Sequence, residues 1–131
     1  MRIYLAAPFN RKADTQKARA QFEAAGIDVK SDWIDFHPDG VVDAAELQRQ
    51  AYKDLAQIDA ADAFVVLNLE VSEGKASEFM FAYCNEIPCI SVGPTPNIFH
   101  HLKNVIRVET IEEAITELQQ SLVSSACAGD N

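Results

Sequence analysis

The sequence predicts an α/β fold in which a parallel sheet of five strands is covered by helices on both faces. Three observations carry this. Short apolar runs recur along the chain, stretches of helical periodicity separate them, and glycine, proline or capping residues mark the joins. Strands that alternate with helices pair in parallel, because each crossover must travel back along the sheet before the next strand begins.

Ile3–Ala7 reads as a short buried strand, and Asp14–Ala25 as a helix that Gly26 ends. Ile27–Trp33 reads as a second strand. Asp35–Gly40 is a polar loop whose His37-Pro38-Asp39-Gly40 is a turn signal. Asp43, with Glu46 three residues on, has the spacing of a capping box, and the helix it starts should run to about Asp59. Ala63–Leu69 is the clearest strand, since its near-continuous apolar run suits burial on both faces. Gly74–Glu86 reads as a helix, Pro88–Val92 as a strand and Gly93–Pro96 as a turn. Val105–Val108 is a short last strand, and Thr110 caps a final helix reaching about Val123. Residues 1–123 thus read as one domain without repeats or linkers, and the small, polar tail 124–131 is expected to fray.

Five such strands make a flavodoxin-like or Rossmann-like three-layer sandwich. Ligands of such folds sit beyond the carboxyl ends of the strands, near the point where strand order reverses. Attention therefore falls on Pro8–Asn10, Trp33–Asp35, Leu69–Gly74 and Gly93–Phe99.

Bulk properties exclude several function classes. A length of 131 residues suits one domain, and no apolar run approaches the roughly 20 residues that span a bilayer. The apolar stretch at the N-terminus is cut short by Pro8, Asn10, Arg11 and Lys12, so a cytoplasmic first strand fits better than a signal peptide. A net charge of −9 argues against nucleic acid or an anionic membrane as partner, while leaving room for one small phosphate held by backbone amides. Cys84, Cys89 and Cys127 cannot all pair and form no CxxC, and His37, His100 and His101 lack metal-ligand spacing. No metal or other cofactor is expected.

Glu78 lies early in a helix whose other members include Phe79, Met80, Phe81, Ala82 and Tyr83, a segment apolar nearly all round. A carboxylate there is costly unless it is paired, hydrogen-bonded or functional. The positive end of the helix dipole would help keep it ionised, as a nucleophile requires. The spacing fits equally a glutamate that only stabilises its helix. Asp54 falls roughly 20° from Leu47 and 40° from Ile58 around its helix, at the edge of the stripe expected to face the core. It could also bend out to water. Two separated acids beside one crevice suit glycosidic chemistry, one attacking the sugar and the other handling protons.

Ser72-Glu73-Gly74-Lys75-Ala76-Ser77 leads from a buried strand into a helix. Its free amides, with Gly74 allowing close approach, could cradle an anion, although an ordinary strand-to-helix turn has the same composition. Tyr4 could point its hydroxyl at the crevice or find a partner in the core. Phe9, Trp33 and Phe99 are candidates for stacking on a base, or for the core.

In order and spacing these residues resemble the nucleoside 2-deoxyribosyltransferase family, including its 2′-deoxynucleoside 5′-phosphate N-hydrolases. The likeness runs from Ile3 to about Leu118. It rests on Ile3-Tyr4-Leu5-Ala6-Ala7-Pro8-Phe9, then Asp54-Leu55-xx-Ile58-xxx-Asp62, then Gly74-Lys75-xx-Glu78 with Ala82. Val92-Gly93-Pro94 and Asn97-Ile98-Phe99-His100 complete it. The resemblance implies that Glu78 bonds covalently to the sugar C1′, that Asp54 contacts the base or sugar and assists proton transfer, and that Tyr4 orients Glu78. It implies for Ser72 a place beside the sugar 5′ position, where a hydroxyl accepts a phosphate that an aspartate would repel. For Asn97 it implies a reach into a neighbouring subunit's site, hence a homodimer or higher homo-oligomer. One departure is Met80, where the family commonly has glycine; a larger side chain there could narrow the pocket. The expected function is transfer of the sugar to a second base, or to water. The alternative is a nucleotide-sensing module that has lost catalysis. A phospho-acceptor domain would need acids where the chain has Ala6-Ala7-Pro8-Phe9.

Overall fold

The computed structural model describes residues 1–36 and 43–129, with side chains as far as residue 121. Its elements are β1 (Arg2–Ala6), α1 (Lys12–Ala24), β2 (Asp28–Val29), α2 (Ala44–Asp59), β3 (Ala63–Leu67), α3 (Glu73–Cys84), β4 (Cys89–Val92), β5 (Ile106–Val108) and α4 (Ile111–Gly129). Short 3-10 turns at Phe9–Arg11, Asp32–Asp35 and Ile98–His101 join them. The five strands form one sheet in the order β2-β1-β3-β4-β5, every pairing parallel. This is the flavodoxin-like order, with its reversal between β1 and β3. Helices α1 and α4 touch each other, as do α2 and α3, giving one pair for each side of the sheet.

Local chemistry explains the element ends. Gly26 terminates α1 with φ +82°, a conformation that costs other residues, and its N–H donates to the Glu23 carbonyl at 3.0 Å. Asp43 accepts from the Glu46 N–H at 2.8 Å, as the capping-box spacing predicts. Thr110 Oγ1 accepts from the Glu113 N–H at 3.1 Å. All five residues of β3 are buried, consistent with an apolar run covered on both faces. Tyr4, Phe64 and Phe79 pack in sequence across β1, β3 and α3, with Tyr4 and Phe64 stacked at 5.7 Å and Phe79 tilted by 54° to Phe64. Each such buried ring contributes about 1.5–3 kcal/mol.

Two boundaries differ most from the sequence reading. The second strand is two residues long, where Ile27–Trp33 was expected. Beyond it side chains replace the ladder: the Leu5 N–H donates to Ser31 Oγ, and Trp33 Nε1 donates to the Leu5 carbonyl at 2.9 Å. With both Leu5 groups satisfied, the chain turns at Asp32 instead of extending. The final helix passes Val123 and runs to Gly129, since Ser124–Ala128 holds no glycine or proline and includes two alanines. The turn expected at His37–Gly40 lies outside the described residues. Cys84 and Cys89 are free thiols, exposed and buried respectively. Among the described residues no helix is long and apolar enough to cross a membrane, and no three His, Cys, Asp or Glu side chains gather as metal ligands.

Candidate active site

A cavity of about 520 Å³ opens at the strand-order reversal, between the end of β1, the inner face of α2 and the start of α3. Glu78, Asp54, Ser72, Gly74, Phe9 and Trp33 all line it. Six of the residues singled out in the sequence thus meet in one place, drawn from four separate segments. Tyr4 lies beneath, fully buried in β1, and its Oη donates to Glu78 Oε2.

The apolar stripe of α2 faces this cavity instead of the core along most of its length. Leu47, Ala51, Asp54 and Leu55 line the cavity, Leu47 is 56% exposed, and only Ile58 is fully buried. That corrects the expectation of a core-facing stripe and explains why a carboxylate is placed beside Leu47. Met80, suspected of narrowing the pocket, packs against the core and is not among the cavity-lining residues.

The electrostatics follow from burial. Desolvation pushes Glu78 up to about 7; the Tyr4 hydrogen bond opposes this, and the Asp54 charge adds to it. Burial thus outweighs the opposing hydrogen bond and raises Glu78 toward neutrality despite its place early in α3. Asp54 rises to about 6, again through desolvation, against a hydrogen bond from Gln50 Nε2 at 2.7 Å. Asp32 raises Asp54 further, while Lys53 lowers it. Lys53 and Asp32 themselves pair at 2.6 Å. Tyr4 is driven far above its ordinary value by burial first and by Glu78 and Asp54 next, so it remains a donor at every working pH.

The cavity also has an aromatic wall. Phe9 meets Trp33 at 6.3 Å and Phe36 at 6.5 Å between ring centroids. Lys12 Nζ lies 4.1 Å from the Phe9 ring, a cation–π contact that steadies an otherwise exposed side chain. At the other end Ser72 caps α3, its Oγ accepting from the Lys75 N–H at 3.3 Å. A Cβ added at Gly74 would meet nothing within 4 Å, so the backbone there stands open to a ligand.

Asn97 and Phe99 are not brought to this cavity within one chain. Asn97 caps the Ile98–His101 turn and borders a smaller neighbouring cavity, and Phe99 is 47% exposed. Sequence reasoning missed Gln50, Phe36 and Lys75, which also line the site. Gln50 was detectable, since it precedes Asp54 by one helical turn. Lys75 carried no such signal.

The geometry makes a direct prediction for Tyr4→Phe. A phenyl ring keeps the stack on Phe64 but removes the hydrogen bond that holds the Glu78 value down. If Glu78 must be ionised to react, the acid limb of kcat/KM should move to higher pH, with a loss of about tenfold at pH 6 and a smaller one at pH 8. A pH–rate profile unchanged in position would sink the orienting role.

Against solved structures, the chain is similar to a 2-deoxyribosyltransferase from Bacillus psychrosaccharolyticus, with a TM-score of 0.72 and 21% identity over 88% of this chain and 90% of that one. A conserved protein from Enterococcus faecalis V583 follows at 0.68 and 18%, covering 92% and 98%. A CMP N-glycosidase from Clostridium botulinum, BcmB, gives 0.57 and 18%, covering 92% and 99%. The chain has their fold. No family model and no curated protein sequence matches it. In this shared fold the cavity occupies the position where doubly wound sheets bind their ligands.

Proposed function

We propose that this chain belongs to the nucleoside 2-deoxyribosyltransferase family and cleaves the N-glycosidic bond of a (2′-deoxy)nucleoside or its 5′-monophosphate. The observation that carries the reading is the juxtaposition of Glu78, gripped by Tyr4, with Asp54 in a largely apolar cavity. The transferase and the CMP N-glycosidase that share the fold favour the same chemistry.

In the first step a Glu78 carboxylate oxygen attacks C1′, the bond from C1′ to the base breaks, and Asp54 gives its proton to the departing base nitrogen. Tyr4 donates to the other face of the reaction, fixing the carboxylate while it is an anion and releasing none of its own proton. In the second step water or another base attacks C1′ and gives its proton to the Asp54 carboxylate, while the bond from C1′ to Glu78 breaks and frees it. The aromatic wall of Phe9, Trp33 and Phe36 suits the face of a base, and the Ser72–Gly74 end suits a 5′-hydroxyl or phosphate. Asn97 and Phe99, with exposed Ile98 between them and exposed Val71 bordering the same small cavity as Asn97, suit a contact between copies, so that Asn97 serves a neighbouring site in a homodimer or higher assembly. The free, unpaired thiols suit a reducing compartment such as the cytoplasm.

The test is chromatographic. The protein is incubated with nucleosides and 5′-monophosphates, with and without a second free base. Free base from monophosphates alone identifies an N-hydrolase using the Ser72 end. A new nucleoside formed only when the second base is present identifies a transferase. Saturable binding without any product would replace the enzyme with a sensing module.

A further inference from the structure

Beside the main cavity lies a smaller one of about 120 Å³, and Ser72 and Lys75 line both. Room for about four waters is also room for one tetrahedral oxyanion. Its lining includes two buried polar groups that the proposed reaction does not use. Lys75 is 3% exposed and His100 is 2% exposed.

A chain of hydrogen bonds fixes what these groups offer. The Lys75 ammonium can only donate; it reaches the Glu70 carbonyl at 2.9 Å and Asn68 Oδ1 at 3.4 Å. That sets the Asn68 amide, whose Nδ2 donates to Ser91 Oγ at 2.7 Å. Ser91 Oγ lies 2.7 Å from His100 Nδ1 and already accepts from Asn68, which favours its own proton as the one in this bond. The His100 proton is thereby placed on Nε2, which has no partner among the described residues. The ring itself is immobilised by stacking on Phe79, 4.6 Å between centroids and 5° between planes.

Other donors converge on the same cavity. Asn97 accepts the Phe99 N–H through Oδ1, leaving its Nδ2 to donate. The Ser72 hydroxyl, shared with the main cavity, also has a proton to give, since its Oγ only accepts within α3. The cavity sits at the amino end of α3, where the dipole favours negative charge. No carboxylate lies within ion-pair distance of Lys75 among the described residues. Glu73 borders the cavity but is exposed, where solvent and salt screen it. Burial lowers both Lys75 and His100, and for His100 this preserves the neutral ring that can accept from Ser91.

We infer that this cavity is a second oxyanion seat, in which Lys75, His100 Nε2–H, Asn97 and Ser72 hold one phosphate group. The seat adjoins the Ser72–Gly74 end of the main cavity without replacing it. Its occupant is either free inorganic phosphate or the outer phosphate of a nucleoside 5′-diphosphate; the second source rests on the function proposed above.

Inorganic phosphate alone is titrated into the full chain, followed by calorimetry and by the nitrogen-15 signals of the histidine side chains. Saturable binding should perturb the His100 Nε2–H resonance. Lys75→Met and Asn97→Asp should each weaken it by about tenfold or more, the loss expected when one charged hydrogen bond is removed or opposed. Asn97→Asp keeps the cap on Phe99 while adding a negative charge, so it tests the seat even if Lys75→Met fails to fold. If a nucleoside 5′-diphosphate binds at least about tenfold tighter than its monophosphate, and Asn97→Asp removes that advantage, the occupant is substrate. If phosphate and monophosphate bind together and the diphosphate has no advantage, the occupant is the free ion. Absence of saturable phosphate binding, equal binding in both variants, or one-for-one displacement of phosphate by monophosphate overturns the seat. None of these readings needs turnover, so a chain that releases no base would refute the proposed function and still decide this one.

Discussion

Glu78→Gln should lower base release by at least about three orders of magnitude while making the fold more stable at neutral and alkaline pH. An amide cannot form the bond to C1′, yet it keeps the shape of glutamate and an oxygen that accepts from Tyr4. The gain in stability comes from burial. Folding raises the Glu78 value from 4.5 to about 7, chiefly through desolvation. Between those limits the folded chain holds a proton that the unfolded chain has released, so wild-type stability falls as pH rises through this window. The cost is absent below about 4.5 and fully present above about 7. Glutamine never carries the charge and avoids it, a difference on the order of 2 kcal/mol. Thermal melts of both proteins at pH 4.5 and at pH 8 make the comparison. The variant should match wild type at the lower pH and exceed it at the higher one. Melts that differ equally at both pH values would mean that Glu78 is not buried as a charge, and residual turnover would remove it as nucleophile.

The same residues show what could be read in advance. Element order and the parallel sheet followed from apolar runs and caps, because those signals are local: Asp43, Ser72 and Thr110 cap their helices within three residues of their partners. The oddity of Glu78 and of Asp54 was also local, a carboxylate among apolar neighbours. Their pairing was not. Tyr4 and Glu78 are 74 positions apart, and no periodicity joins them; only the resemblance suggested it. The shortening of β2 was hidden because it depends on Ser31 and Trp33 binding the two backbone groups of Leu5. The stripe on α2 was seen but misassigned, since periodicity reports an apolar face without saying whether core or cavity lies opposite. Lys75 was invisible as a buried residue, because its partners, the Glu70 carbonyl and Asn68, are set by the loop's path after β3.

Asp54→Asn should cost about 10²–10⁴ in kcat/KM for a base that needs protonation to leave, and should change the shape of the pH profile as well as its height. In the wild type the productive form carries one proton across the Asp54–Glu78 pair, on Asp54, with Glu78 ionised. With Asp54 near 6 and Glu78 near 7, that form is most populated between the two values, so kcat/KM should be bell-shaped with its maximum there. Asparagine removes the acid, and with it the limb that falls as pH rises. It also removes a charge that raises Glu78, whose value should drop below about 7 and then set a single rising limb on its own. The residual activity should therefore climb once and then stay level. Gln50 can still donate, now to the asparagine oxygen, so the side chain keeps its place and the effect is one of charge. A substrate whose base departs readily without a proton should lose far less, which separates proton donation from mere positioning. A variant that keeps the wild-type bell at the same pH, or loses equally on both kinds of substrate, would strip Asp54 of the acid's role and leave Glu78 to act with another donor.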